Sequence, residues 1–306
     1  MSVIETHALT KVYGATRAVD GLNIEVERGQ VFGFLGPNGS GKTTTIGMLL
    51  GIITPTSGSY RLLGAESRAD REAARLRIGA TLEQPNFYPY LTCRDNLVLV
   101  ARVKRVAERQ IDEVLDVVGL ASRQKTRFGA CSLGMKQRLA LAATMLGDPE
   151  LLILDEPANG LDPEGMREIR EIIGRMAERG TTIFLSSHLL WEVERVCSHV
   201  AILRKGKVVR QGPVSELTGG RTVAVLAADD TEMLAAQVRA YPGSVRVDAD
   251  GDRVRVQLKE ADLAALNSWL AARNIYLSHL ALEQRSLEDA FMESTGASVA
   301  GMGVIE

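Results

Sequence analysis

The sequence predicts an α/β protein: a parallel sheet covered by helices on both faces, followed by a small α+β unit. Three observations carry that expectation. Short, wholly apolar runs alternate with helical patterns up to about residue 218, as strands buried on both faces of a parallel sheet require. A glycine-rich loop, Gly36-Pro37-Asn38-Gly39-Ser40-Gly41-Lys42-Thr43-Thr44, follows one such run and opens a helix. The punctuation then changes around Thr218-Gly219-Gly220-Arg221, beyond which the elements are shorter and mixed.

Along the chain, Val31–Leu35, Leu151–Leu154 and Thr182–Ser186 read as central strands. Residues 97–120 read as mostly helical, a block set between strands. Residues 130–142, Ala-Cys-Ser-Leu-Gly-Met-Lys-Gln-Arg-Leu-Ala-Leu-Ala, form an amphipathic helix with an unusual start, Ser132-Leu133-Gly134. A serine cap is ordinary; a glycine beside it costs helix stability. The next helix is well punctuated: Asp162 caps it, Pro163 suits its first turn, Met166, Ile169, Ile173 and Met176 stripe one face, and Gly180 ends it. Past residue 221 come a strand, a helix over 231–240, and a break at Tyr241-Pro242-Gly243. A hairpin of Val245–Asp248 and Arg253–Leu258 follows about Ala-Asp-Gly-Asp, then a helix over 261–272 and the closing Ser-Leu-Glu-Asp-Ala-Phe-Met-Glu. This alternation predicts a small unit over 219–296 with a ferredoxin-like layout. Residues 297–306, small and apolar, are expected to be a flexible tail.

Composition bounds the function. The chain has 306 residues, 45% hydrophobic and 24% charged, with a formal net charge of -2, which is ordinary globular usage and suggests roughly two domains. The balanced charge argues against a bulk polyanion binder, so no nucleic-acid partner is expected. Cys93, Cys131 and Cys197 show neither ligand spacing nor pairing logic, which points to a reducing compartment. The first eleven residues include Glu5 and lack an apolar core, so no signal peptide is expected. No apolar run approaches the roughly 18–20 residues of a membrane span; action at a membrane would need a partner.

The chemistry gathers in three places. In Gly36–Thr43 the glycines let the backbone curl so that its N–H groups face phosphate oxygens. Lys42 neutralises the β- and γ-phosphates, Thr43 coordinates Mg²⁺, and the helix N-terminus adds its dipole. Asp155 and Glu156 stand at the C-terminal end of a buried strand, where ligands of such sheets sit. Asp155 would hold Mg²⁺ through water and Glu156 would polarise the attacking water. His188 ends another buried strand, either as a donor to the γ-phosphate or as a hydrogen-bonded histidine at a strand terminus. His7, His199 and His279 have no such setting and read as structural.

The phosphate loop, the Ser-Leu-Gly-Met-Lys-Gln-Arg helix, the Leu-Asp-Glu-Pro strand end, the Gly-Leu-Asp-Pro turn and Ser-Ser-His, in this order over about residues 3–217, resemble the ATP-binding cassette family. The resemblance implies a P-loop NTPase cassette over 1–218, with a RecA-like core, a β-subdomain and a helical subdomain at about 84–145. It implies ATP and Mg²⁺ as cofactors and ATP hydrolysis as the activity. It also implies a head-to-tail pair of cassettes, a homodimer or a pair of different cassettes, in which Ser132, Leu133 and Gly134 meet the γ-phosphate held by the other subunit. A helix N-terminus with a hydroxyl and an uncovered backbone is a ready anion site; its plainer reading is a capped surface helix. Tyr13 falls where the family stacks an aromatic on adenine, a contact typically worth ~1–3 kcal/mol, or it is a half-buried strand tyrosine. Asp162 falls in the turn that communicates across the dimer. In Ile78-Gly-Ala-Thr-Leu-Glu-Gln, Glu83 takes the position of the family's glutamine, with Gln84 the alternative. Cys131, Leu133 and Met135 depart from the common Leu-Ser-Gly-Gly-Gln signature.

The variant signature, Glu83, Asn86-Phe-Tyr-Pro-Tyr-Leu-Thr and the closing segment resemble ATP-binding subunits of bacterial drug and antibiotic-peptide exporters, including the bacitracin and daunorubicin resistance type. That implies a separate membrane permease docked on Phe87, Tyr88, Tyr90 and Leu91, unless those side chains pack on their own helical block. It places the chain at the cytoplasmic face of the membrane. An importer motor with a regulatory C-terminal domain and a soluble, non-transport cassette ATPase are the alternatives.

Overall fold

The computed structural model describes residues 1–82, 84–219, 222–283 and 286–295; Glu83 and the expected tail at 297–306 lie outside them. The chain divides into two compact units, the first Met1–Gly212 and the second beginning at Pro213.

In the first unit a six-stranded sheet runs in the order Lys207–Pro213, His199–Arg204, Val31–Leu35, Thr182–Ser187, Leu151–Asp155, Ile78–Thr81. Val31–Leu35 pairs in parallel with Thr182–Ser187 and His199–Arg204, and Leu151–Asp155 pairs in parallel with Thr182–Ser187 and Ile78–Thr81. Every residue of the three central strands is buried, which explains their unbroken apolar runs. Register sets Leu35 beside Ser187 and Asp155 beside Ser186. The chain therefore leaves all three strands at one edge, and the segments that follow them are brought together. A second, antiparallel sheet is built around Ser2–Tyr13, which pairs with Thr16–Leu22, Glu25–Glu27 and Ser57–Leu62. The two sheets share a core that includes Ile4, Leu9, Leu62, Phe34, Ile46 and Phe184.

The helical block comprises Cys93–Lys104, Arg109–Val117 and Leu133–Met145. Thr92 and Asp95 form a capping box at the first helix, and Arg105 stops it in the left-handed conformation, so the expected helical stretch is broken between residues 104 and 109. Residues 89–94 are stitched by backbone bonds to the segment that leads into Ser132. Cys93 donates to the Thr126 carbonyl, Phe128 to Leu91 and Gly129 to Pro89, each at 2.9 Å, and Arg94 donates to Gln124 at 3.0 Å. At the far end Lys104 Nζ donates to the Leu146 carbonyl at 2.8 Å, capping the end of Leu133–Met145.

The second unit has the element order β-α-β-β-α-β: Thr222–Ala227, Thr231–Ala240, Ser244–Asp250, Arg253–Leu258, Leu263–Ala271 and His279–Glu283, with a further helix Leu287–Thr295. In space the strands lie second, third, first, fourth, and every pairing is antiparallel. Gly251, at φ 60°, turns the hairpin between Asp250 and Arg253. Alternate residues of the sheet (Ala224, Leu226, Val254, Val256) pack with Leu234, Val238, Leu266 and Leu270 of the two helices as a core of its own.

Candidate active site

The loop after Val31–Leu35 passes through Pro37, Asn38 and Gly39 to Gly41, which sits at φ 106° immediately before helix Lys42–Leu49. Only glycine suits that place: a Cβ on Gly41 would lie 2.5 Å from the Ala18 carbonyl oxygen. Lys42 is only 6% exposed, and its ammonium turns back into the loop, donating to the Gly36 carbonyl at 2.6 Å. The Ser40 hydroxyl is buried with no hydrogen-bond partner among the described residues. Thr43 is exposed and Thr44 half-buried. Thr43 Oγ1 donates to Asp155 Oδ2 at 2.9 Å.

Asp155 and Glu156 diverge at the end of their strand. Asp155 is buried and points to Thr43; its other oxygen accepts from the Ser186 hydroxyl. Glu156 turns away because its backbone adopts φ 48°, a strained conformation for a non-glycine residue. Its N–H is held by the Ser186 side-chain oxygen at 3.0 Å. Ser186 thus organises both carboxylates. Nothing in Ser-Ser-His marks this role, which follows from the register that sets Ser186 opposite Asp155.

The Glu156 carboxylate lies between two cationic partners. Oε1 is 3.1 Å from Lys42 Nζ, and Oε2 accepts from His188 Nδ1 at 2.8 Å. Burial pushes the Glu156 carboxyl up, but the His188 bond and the Lys42 charge more than offset it and hold the group below the usual carboxylate range. The same bond raises His188 above the ordinary imidazole value, against partial burial. Lys42, Glu156 and His188 follow three separate strands and form one chain, an ion pair continued by a hydrogen bond.

The helix Leu133–Met145 begins where its serine predicts. Ser132 Oγ accepts from Met135 N at 3.3 Å, while Ser132 and Leu133 are exposed. A Cβ on Gly134 would meet nothing nearer than Leu161 Cδ2 at 3.9 Å, so the packing of this chain does not require glycine there. Among the described residues, no hydrogen bond or ion pair links Ser132, Leu133 or Gly134 to the phosphate loop, Asp155, Glu156 or His188. The turn at Asn159–Asp162 lies beside this mouth. Asp162, exposed, accepts from Gly165 N at 2.9 Å and caps Pro163–Glu178.

Tyr13, at the end of its strand, is half exposed, and Lys11 Nζ lies 4.9 Å from its ring centre. The aromatic loop divides. Phe87 packs edge-on against Phe128 at 5.3 Å, whereas Tyr88 and Tyr90 are 54% and 67% exposed. Buried Asn96 pins the loop, accepting from Tyr88 N and donating to its carbonyl. The cysteines do not all stay apart as their spacing suggests: Cys93 and Cys131 Sγ approach to 3.5 Å, a contact that a separation of 38 residues conceals. Gln84 is exposed, and Glu83 falls outside the described residues.

A family profile described as ABC transporter matches residues 19–159, from the strand facing the phosphate loop to the turn after Glu156. The bacitracin transport ATP-binding protein BcrA of Bacillus licheniformis is 40% identical over 305 residues, covering 98% of this chain and 99% of that one. The daunorubicin/doxorubicin resistance ATP-binding protein DrrA of Streptomyces peucetius is 33% identical over 306 residues, covering 96% and 92%. The structure of cbiO1 from Clostridium perfringens, part of the ABC transporter complex cbiONQ, superposes with a TM-score of 0.65 at 29% identity, covering 71% of this chain and 90% of that one.

Proposed function

The chain belongs to the ABC transporter family as one of its ATP-binding subunits, an ATPase whose work is coupled to transport, and from that premise we propose that it drives an exporter of drug-like or antibiotic-peptide substrates through a separate membrane permease. The single observation that carries the motor reading is the bonded chain Lys42–Glu156–His188 beside the Thr43–Asp155 pair. The export reading draws support from the likeness to BcrA, which extends over both units. The second unit's strand order supports assigning residues 219–296 a ferredoxin-like accessory domain.

The residues fit the groups they are asked to hold. The unpartnered Ser40 hydroxyl and the loop after Gly36 suit a phosphate. Thr43 and Asp155 offer a hydroxyl and a carboxylate oxygen within 2.9 Å of each other, hard donors of the kind Mg²⁺ takes alongside phosphate and water. Bound there, Mg²⁺ supplies charge neutralisation on the β- and γ-phosphates. Lys42 adds the neighbouring positive charge. Glu156 accepts the proton of the attacking water, and His188 orients that carboxylate and faces the γ-phosphate. Tyr13 stacks on the adenine. Ser132, Leu133 and Gly134 meet the γ-phosphate of a second copy, whose approach Asp162 and its turn sense.

Tyr88 and Tyr90 supply the exposed surface for the permease. No helix among the described residues is long and apolar enough to cross a membrane, which fits attachment at the cytoplasmic face through that partner.

Equilibrium sedimentation of Glu156→Gln tests this reading. The variant keeps ATP uncleaved, so the expected result is a monomer that becomes a dimer only with Mg-ATP, and Ser132→Arg abolishes the dimer. A dimer that survives Ser132→Arg refutes the shared site.

A further inference from the structure

A cavity of about 20 Å³ adjoins the site, lined by Glu156, His188, Arg170 and Glu192 among apolar side chains such as Ile173 and Val193. Glu192, on helix Leu190–Val196, is 8% exposed, and its Oε1 is buried with no hydrogen-bond partner among the described residues. Nη1 of Arg170, on helix Pro163–Glu178, is in the same condition. The Arg170 guanidinium is held 5.3 Å from the ring centre of Trp191, the neighbour of Glu192 in the chain. No ion pair joins Arg170 to Glu192 among the described residues. Burial pushes the Glu192 carboxyl up, while the Arg170 charge draws it back down; a buried carboxylate oxygen and a buried guanidinium nitrogen that line one cavity without bonds are costly unless something bridges them. A water needs roughly 10–15 Å³ of such space and two to four polar partners; the cavity meets the first condition, and Arg170 and Glu192 supply two partners.

We propose that Glu192 and Arg170 share an ordered water in this cavity, and that the bridge is a positioning unit behind His188. It fixes a negative charge on the helix that follows the histidine and ties that helix to the one capped by Asp162. The groups that face His188 are Glu156, Lys42 and Glu192, with Arg170 facing Glu192. Glu156 and Glu192 favour the imidazolium, while Lys42 opposes it. Removing the Glu192 charge therefore weakens the proton affinity of His188 without touching the His188–Glu156 bond. The inference rests on the proposed place of His188 at the reaction centre.

The full chain has 4 histidines, so the imidazole of His188 can be followed by NMR titration and assigned by its loss in His188→Asn. Glu192→Gln is expected to weaken its proton affinity, moving the imidazole midpoint to lower pH. Glu192→Gln and Arg170→Gln should each lower the denaturation midpoint more than the double variant does, because each single change strands a charge. If a single variant fails to fold, the double still should. An unmoved His188 titration, additive losses in the double variant, or a double that also fails to fold overturns the bridge. The two readings fail separately: unchanged ATP turnover in His188→Asn removes His188 from the reaction centre and leaves the bridge standing.

Discussion

Neutralising Glu156 should tighten nucleotide binding as well as stop hydrolysis. Lys42 is 6% exposed; its ammonium is 3.1 Å from Glu156 Oε1 and also bonds the Gly36 carbonyl. A phosphate entering the loop competes with that carboxylate for the same ammonium. Hydrogen bonds to charged groups contribute about 1.5–3 kcal/mol. Lys42 keeps its carbonyl in Glu156→Gln, so the lower part of that range applies, about 1.5–2 kcal/mol. The variant should lose that much stability, and its affinity for ADP should rise by about ten- to thirty-fold. ADP is the ligand of choice because it cannot be hydrolysed at the site. Titration calorimetry on both proteins measures the change. Relief of repulsion between Glu156 and phosphate has the same sign, so the comparison is repeated in Lys42→Met. There the gain should vanish. Equal or weaker binding by Glu156→Gln refutes the competition, and a gain that persists in Lys42→Met assigns it to repulsion.

Gly134→Ala separates folding from assembly. With nothing within 3.9 Å of the added Cβ, alanine should raise monomer stability by roughly 0.5 kcal/mol, read from the denaturant midpoint. In the Glu156→Gln background it should nonetheless abolish the Mg-ATP dimer; an intact dimer would mean that no phosphate approaches this backbone. The His188–Glu156 bond gives a pH signature. His188 is raised in the fold, so its contribution is complete below the unfolded imidazole value and fades as pH climbs through the elevated one. Glu156 is lowered, so its contribution is present above the unfolded carboxyl value and fades as pH falls through the depressed one. The stability difference between the natural protein and His188→Asn should therefore be largest between those limits, and a flat difference across pH denies the bond.

Strands and loop were legible because burial on both faces leaves unbroken runs such as Val31–Leu35, and because a phosphate loop needs glycines at fixed places. Helix Pro163–Glu178 was legible down to its cap, since Asp162, Pro163 and the Met166–Met176 stripe act locally. What depends on register was hidden. Ser186 matters because a parallel neighbour places it against Asp155, and Lys42 meets Glu156 only after a third strand, Thr182–Ser187, has paired with both Val31–Leu35 and Leu151–Asp155. The aromatic run was half legible. Its composition suggests a contact surface, but only Asn96, eight residues from Tyr88, decides that Phe87 turns inward to Phe128 and the tyrosines outward.

The backbone stitching between residues 89–94 and 124–129 has a mechanical consequence. Four bonds of this kind, at about 1 kcal/mol net apiece, make sliding one segment past the other expensive, and Cys131 against Cys93 fills the seam. A push on Tyr88 or Tyr90 therefore arrives at Ser132 with little lost travel, while Lys104 anchors the opposite end of the helix. If the tyrosines take a partner and Ser132 a phosphate, as proposed, no clutch among the described residues separates the two: engaging one should engage the other.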